Sequence, residues 1–249
     1  MEVKYDFDTH LDNPKTSIRH GEIINSKLFL KKIYLEWYQI FLNEVKRNPG
    51  GKYLEIGSGS GFLKTLIPHL ITSDIMPLPT VDMQFSAEEM PFKNNELDGI
   101  FMVNVLHHIP HPYMFFKEAE RILIPGGKII MVEPANTPFS KFIYQNLHHE
   151  PFDPKGGWDF VSSGPLSGSN QAIPYIYMIR DRKKFETEFP SLQIESIKIH
   201  TPLTYTLSGG VSHRCFVPQW SFGFWKALEN FPGLNQFAAM FGTYIISKK

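Results

Sequence analysis

Tyr53-Leu54-Glu55-Ile56-Gly57-Ser58-Gly59-Ser60-Gly61-Phe62 is the stretch on which the fold turns. A short apolar run holds an acid near its end, and glycines then alternate into the next segment. Glycine lets the chain turn sharply and lets a ligand lie against the main chain. A helix opening just beyond offers unpaired N–H groups. A dinucleotide-binding turn would carry its third glycine at position 62, where Phe62 stands. An acid beside the turn also suits a positively charged ligand better than a pyrophosphate, so a nicotinamide-dependent oxidoreductase is the weaker expectation.

Outward from this stretch, strands and helices alternate. Strands are expected at Lys52 to Ile56, Leu70 to Asp74, Met83 to Phe85, Leu97 to Asn104 and Lys128 to Glu133. The fourth is nearly continuously apolar, as a strand covered on both faces must be. Helices are expected from Gly61 to His69 and from Pro112 to Leu123, the latter followed by the turn Pro125-Gly126-Gly127. Upstream, apolar positions from Ile23 to Val45 recur at helical spacing and stop at Asn48-Pro49-Gly50-Gly51. Downstream come a Gly/Pro/Ser-rich loop or cap at residues 148–175, a helix from Asp181 to Phe189, and strands at Leu192 to His200 and Phe241 to Ser247. The pattern predicts an α/β fold with a doubly wound, mostly parallel, seven-stranded Rossmann-like sheet, helices on both faces and a cap or insert. Residues 1–49 form an arm and helix, 50–135 the ligand-binding half, and 136–249 a second half of the same domain that specifies the substrate.

Composition narrows the function classes. The 249 residues hold 25 basic and 25 acidic side chains, so no basic surplus marks a nucleic-acid binder. Cys215 is the single cysteine, which excludes an intrachain disulfide and suits a reducing compartment. The opening MEVKYDFDTH has no apolar secretory core, and no run of about 18 apolar residues occurs. A cytoplasmic location is the expectation.

Asp74 follows Glu55 by 19 residues and closes the second strand, where an acid can accept ribose hydroxyls. The run Glu55 to Gly61, then Asp74, Ser86-Ala87-Glu88-Glu89-Met90-Pro91-Phe92, Leu97-Asp98, Asn104-Val105-Leu106-His107-His108-Ile109 and Leu123-Ile124-Pro125-Gly126-Gly127, resembles the class I S-adenosylmethionine-dependent methyltransferases, most closely their methyltransferase-11-like, small-molecule branch. The resemblance covers residues 50–135. It implies S-adenosyl-L-methionine as cofactor, with Glu55, Gly57, Ser58, Gly59 and Gly61 at its methionine part. Asp74 would take the ribose, Ile75 would pack on the adenine, and Ser86 and Ala87 would line the adenine edge. Asn104 and Val105 would meet the methionyl group. Many relatives carry Asp where Ser86 stands, which removes one hydrogen bond to adenine. A non-catalytic module that keeps the cofactor pocket is the second possibility. An Asn-Val-Leu-His run at residue 104, in place of Asn/Asp-Pro-Pro-aromatic, disfavours nucleic-acid bases as acceptors.

Transfer from a sulfonium needs mainly alignment of a nucleophile, with a general base where the acceptor is a hydroxyl. His107, His108, His111, Glu133, His148, His149 and Glu150 are the candidate bases, with His108 and Glu133 preferred as catalytic residues. His107, His108 and His111 do not make a metal motif, because Pro110 breaks any shared helical face and no carboxylate reinforces the spacing. No metal is therefore expected. Tyr5, Arg19 and His20 of a mobile arm are candidates for closing over the cofactor, Arg19 on the methionine carboxylate. Phe216, Trp220, Phe222, Phe224, Trp225, Phe231, Phe237, Phe241 and Tyr244 make the carboxyl-terminal region aromatic. They are expected mainly in a packed core. An apolar acceptor pocket or a lipid-facing surface is the alternative. The acceptor is expected to be a small or lipid-like molecule; nothing in the pattern names it or an oligomeric state.

Overall fold

The computed structural model describes residues 11–249. The sheet is built from β1 (Tyr53–Ile56), β2 (Ile71–Asp74), β3 (Met83–Gln84), β4 (Leu97–Val103), β5 (Leu123–Pro134), β6 (Leu192–His200) and β7 (Phe241–Lys248), in the order β3-β2-β1-β4-β5-β7-β6. Pairing from β3 through β5 is parallel. β7 runs antiparallel to both β5 and β6, so the sheet is mixed, with one reversed strand near an edge. Ile100, Phe101 and Met102 on β4 are all fully buried. Successive strand residues point to opposite faces, so both faces of the sheet are covered at its centre.

The amino-terminal part departs from the expected arm and single helix. α1 spans Pro14–Ser26 and α2 Leu28–Arg47, with a break at Lys27. Asn13 caps α1 by accepting the Lys15 N–H at 3.0 Å, and Pro14 at the first helical position needs no partner for the N–H it lacks. At the break, the Lys27 ammonium donates to the Gly210 carbonyl at 2.6 Å and to that of His213. Residues 14–20 are thus helical; Tyr5 lies outside the described residues.

α2 lays Phe41 on Phe101 of β4, ring centroids 4.7 Å apart, and Tyr53 of β1 stacks on the same ring at 5.3 Å. Burying each such ring contributes about 1.5–3 kcal/mol. The helix after the glycine turn, α3, is only Leu63–Leu66. α4 (Pro112–Ile122) connects β4 to β5, and Arg121 on it donates to the Met90 and Phe92 carbonyls at 2.9 and 2.6 Å. That contact fixes the loop after β3. β5 starts at Leu123, because the expected turn at Gly126 stays within the strand, with φ of +83° at that residue.

α5 (Pro138–Asn146) follows, then irregular chain as expected, α6 (Ile173–Tyr175), a π-helical turn at Ile176–Arg180 and α7 (Arg182–Glu188). Between β6 and β7 lie α8 (Thr204–Ser208), α9 (Phe222–Leu228) and α10 (Leu234–Ala238). The buried apolar residues form one cluster running from Ile24 to Ile246. No helix among the described residues is long and apolar enough to cross a membrane.

Candidate functional site

The carboxyl ends of β1, β2 and β4 meet at one cavity of about 490 Å³. At β1 the chain turns through Gly57 and Gly59, with φ of +62° and +52°. A Cβ at Gly57 would lie 2.5 Å from Val105 Cγ2, so the two loops touch backbone to side chain. Ser58 donates its N–H to the Ser73 carbonyl at 2.9 Å and its hydroxyl to the Glu55 carbonyl at 3.2 Å. Gly61 donates to the Ser58 carbonyl at 2.9 Å. Ser58 and Gly61 therefore shape the turn from behind rather than facing the cavity.

Asp74 ties the second strand to this turn. One carboxylate oxygen accepts the Gly59 N–H at 2.9 Å, and the other accepts the Met76 N–H at 2.9 Å. Burial raises its pKa, opposed by the N–H groups of Met76, Gly59 and Ile75. Glu55 is buried and does not reach the cavity wall. Burial pushes its carboxyl up to about 8; the Ser58 hydroxyl pulls it down, and nearby Asp74 adds to the rise.

At the end of β4, Asn104 adopts φ of +58°, a left-handed conformation that Asn tolerates better than most residues. Its N–H donates to the Val132 carbonyl at 2.9 Å, while its buried Oδ1 has no hydrogen-bond partner. Glu133, fully buried, holds the following loop. Its Oε1 accepts the Val105 and Leu106 N–H groups at 2.7 and 2.8 Å, and its Oε2 lies 2.6 Å from His107 Nδ1. Burial disfavours a charged His107, but Glu133 and then Glu150 outweigh it and lift the ring to about 9.

The cavity wall includes Gly57, Gly59, Asp74, Ile75, Ser86, Ala87, Asn104, Val105 and His108. Ile75 is half exposed there, an apolar side chain facing an open slot. The space, the Asp74 carboxylate, the orphaned Asn104 oxygen and the Ile75 face fit S-adenosylmethionine: acceptors for its hydroxyls and cationic end, and an apolar surface for its base. Ser86 Oγ already accepts the Glu88 N–H at 3.2 Å. Glu133 lies outside the wall, with both oxygens engaged, and so acts on the loop rather than on a ligand.

Several wall residues carried no signal in the sequence. Ser17 comes from α1, which crosses the glycine turn so closely that a Cβ on Gly21 would sit 2.3 Å from the Ser60 carbonyl. Ser162, Ser163, Gly164, Pro165 and Leu166 close the far side. Asp12 pins that segment by accepting the N–H groups of Leu166 and Ser167 at 2.7 and 3.0 Å. Arg19, by contrast, is exposed and paired with Glu22 at 2.7 Å, and neither it nor His20 reaches the wall. Burial lowers the His20 pKa, with His149 nearby adding to the effect.

His108 is the one candidate base on the wall. Its Nδ1 faces the Gly168 carbonyl at 3.2 Å, which can only accept, so the proton sits on Nδ1 and Nε2 keeps its lone pair. Burial, then the charge on His107, lowers the ring to about 4. His111 lies apart, its side chain exposed and 3.5 Å from Asp159. Glu150 joins His107 and His108 instead, at 3.5 Å from His107 Nε2 and 3.7 Å from His108 Nε2. His148 accepts from Gln171 at 2.8 Å, and His149 is half exposed, 3.7 Å from Glu150.

The aromatic carboxyl-terminal set divides. Phe222, Phe241 and Tyr244 are buried as expected, but Phe216, Trp220, Phe224, Phe231 and Phe237 are exposed, Trp220 at 84%. The exposed group departs from the packed core expected of the whole set.

Comparison with known proteins finds similar sequences and folds. Residues 54–131 match a methyltransferase domain model. A demethylmenaquinone methyltransferase of Symbiobacterium thermophilum is 27% identical over 168 residues, covering 66% of this chain and 65% of that protein. A ubiquinone/menaquinone biosynthesis C-methyltransferase of Burkholderia mallei is 22% identical over 83% of this chain and 94% of its own. The chain spans less than two thirds of the length of the first curated relatives it matches. Among solved structures, geranyl diphosphate C-methyltransferase from Streptomyces coelicolor superimposes with a TM-score of 0.57 at 10% identity, covering 98% of this chain and 86% of that one. At that identity the likeness is one of fold.

Proposed function

We propose that this chain is a class I S-adenosylmethionine-dependent methyltransferase that transfers a methyl group to a small, largely apolar acceptor. Bound S-adenosylmethionine supplies a methyl already activated on a sulfonium. The chain's own residues bind, orient and shield. Asp74 offers its carboxylate to the ribose, Ile75 its apolar face to the adenine, and Gly57 and Gly59 a main chain free of side chains. Ser86 and Ala87 border the adenine, while Asn104 and Val105 face the methionine part and Glu55 sets the charge behind it. Glu133 positions the loop, and α1 covers the turn from outside.

The acceptor class is read from the apolar and uncharged part of the cavity lining. Ile109, Pro110, Pro165 and Leu166 line the cavity with His108, and no lysine or arginine is among the described residues of the lining. That single observation carries the proposal. A nucleic-acid strand or a diphosphate would meet no cation, whereas an aromatic or isoprenoid-like body would meet apolar contacts. The quinone-related names of the curated relatives agree with a ring-bearing, lipid-like acceptor. The exposed aromatics around Trp220 support contact with a membrane surface from which such a molecule could be drawn. The neutral His108 ring is the polar group set toward the acceptor.

The test is formation of S-adenosylhomocysteine with a panel of phenols, reduced quinones, thiols and amines. Turnover with a lipophilic phenol or quinol, lost in Asp74→Ala, is expected. Cofactor binding without turnover on any acceptor would point to the non-catalytic module.

A further inference from the structure

His107, His108 and Glu150 converge beside the cavity, whose wall His108 alone of the three reaches, and the convergence has a chemical signature. Each histidine has its Nδ1 already committed: His107 to the Glu133 carboxylate at 2.6 Å, His108 to the Gly168 carbonyl at 3.2 Å. A carboxylate or carbonyl on one ring nitrogen orients the ring so that the other nitrogen faces outward, as in metal-bound histidines; on His107 an ion would displace the second proton that Glu133 and Glu150 favour. The two Nε2 atoms face the two oxygens of one carboxylate: His107 Nε2 lies 3.5 Å from Glu150 Oε2 and His108 Nε2 3.7 Å from Glu150 Oε1. The three ligand atoms lie within 4.8 Å of one another.

Those separations suit an ion better than a hydrogen bond. A charged N–H to carboxylate contact closes to about 2.7–2.9 Å. His107 achieves such closure with Glu133 and not with Glu150. Ligands around a tetrahedral ion with bonds of about 2.0–2.1 Å stand about 3.4 Å apart. Glu150 is itself held in place, its Oε2 accepting from Gln171 Nε2 at 2.7 Å, and Gln171 Oε1 is buried without a partner.

We infer that His107, His108 and Glu150 form a binding site for a divalent transition metal ion of the zinc or iron(II) type. Two imidazoles and one carboxylate are the ligand set such ions prefer. Three protein ligands leave an open coordination position, and His108 lies on the cavity wall, so that position takes an oxygen or sulfur atom of the acceptor. The His108 lone pair then serves an ion rather than a proton. The second possible source of the same geometry is a histidine ion pair between two carboxylates with no metal.

The test is titration of the chelator-treated full chain with Co²⁺, followed by its visible ligand-field bands and run without any nucleoside, so that its failure leaves the cofactor assignment standing. Stoichiometric binding with intense bands, displaced by Zn²⁺, is expected. Glu150→Gln and His108→Gln, each checked for folding by Tm, should weaken it on the order of 100-fold or more. Absence of the bands in the wild-type chain at saturating Co²⁺, or wild-type binding in either folded variant, would overturn the site and leave the ion pair.

Discussion

Glu133 and His107 are joined across a fully buried contact of 2.6 Å, and the other oxygen of the same carboxylate takes the N–H groups of Val105 and Leu106. One side chain thus anchors both the loop that walls the cavity and the buried His107 ring behind it. Glu133→Ala leaves two N–H groups and a ring nitrogen without partners in a dry site. A loss of about 3–5 kcal/mol is expected. Glu133→Gln, whose amide oxygen can still accept both N–H groups, should lose less than half of that. Urea denaturation of both variants measures the difference; equal losses would mean that the backbone contacts carry little of the effect.

Gly57 works through close approach. A methyl group there must coexist with Val105 Cγ2 at 2.5 Å and with φ of +62°. Gly57→Ala should lower S-adenosylhomocysteine affinity on the order of 10-fold, with backbone strain of about 1–3 kcal/mol. Adding Val105→Ala removes the clash but not the strain, so part of the affinity should return. Equilibrium dialysis on the single and double variants checks this; no recovery in the double variant would locate the whole defect in the backbone.

Glu55 makes stability and binding oppose each other with pH. Its folded pKa, near 8, lies above the ordinary value of 4.5. Between those values the folded chain keeps a proton that the unfolded chain has released, so stability falls as pH rises from about 5 to 8. A cationic ligand favours the ionised carboxylate, and affinity rises over the same window as binding releases the proton. Glu55→Gln should therefore flatten the fall in Tm toward pH 8, raise Tm there, and weaken binding of S-adenosylmethionine. Thermal melts from pH 5 to 8 test this; an unchanged slope in Glu55→Gln would show that another group sets it.

What could be read in the sequence was what local pattern encodes. The parallel strands β1 to β5 showed as apolar runs ending in Asp74, Asn104 and Glu133, and the cavity formed where those ends meet. Helical spacing runs on through Lys27, so the break between α1 and α2 escaped, although Asn13-Pro14 was a readable helix start. The reversal of β7 between β5 and β6 leaves no mark on its alternation. Ser17 and the 162–166 segment reach the cavity only through packing and the Asp12 contacts. Glu150 joins His107 and His108 from more than 40 positions away, a carboxylate that local spacing around the histidines does not show.

Isothermal titration of S-adenosylhomocysteine into the wild-type chain and Asp74→Ala addresses the cofactor site directly. Saturable binding to the wild type is expected, weakened on the order of 100-fold, or about 2.7 kcal/mol, in the variant through loss of the ribose acceptor and of the hold on Gly59. Absence of heat with the wild type for both this ligand and S-adenosylmethionine, or an affinity untouched by the substitution, would contradict the assignment of the cavity.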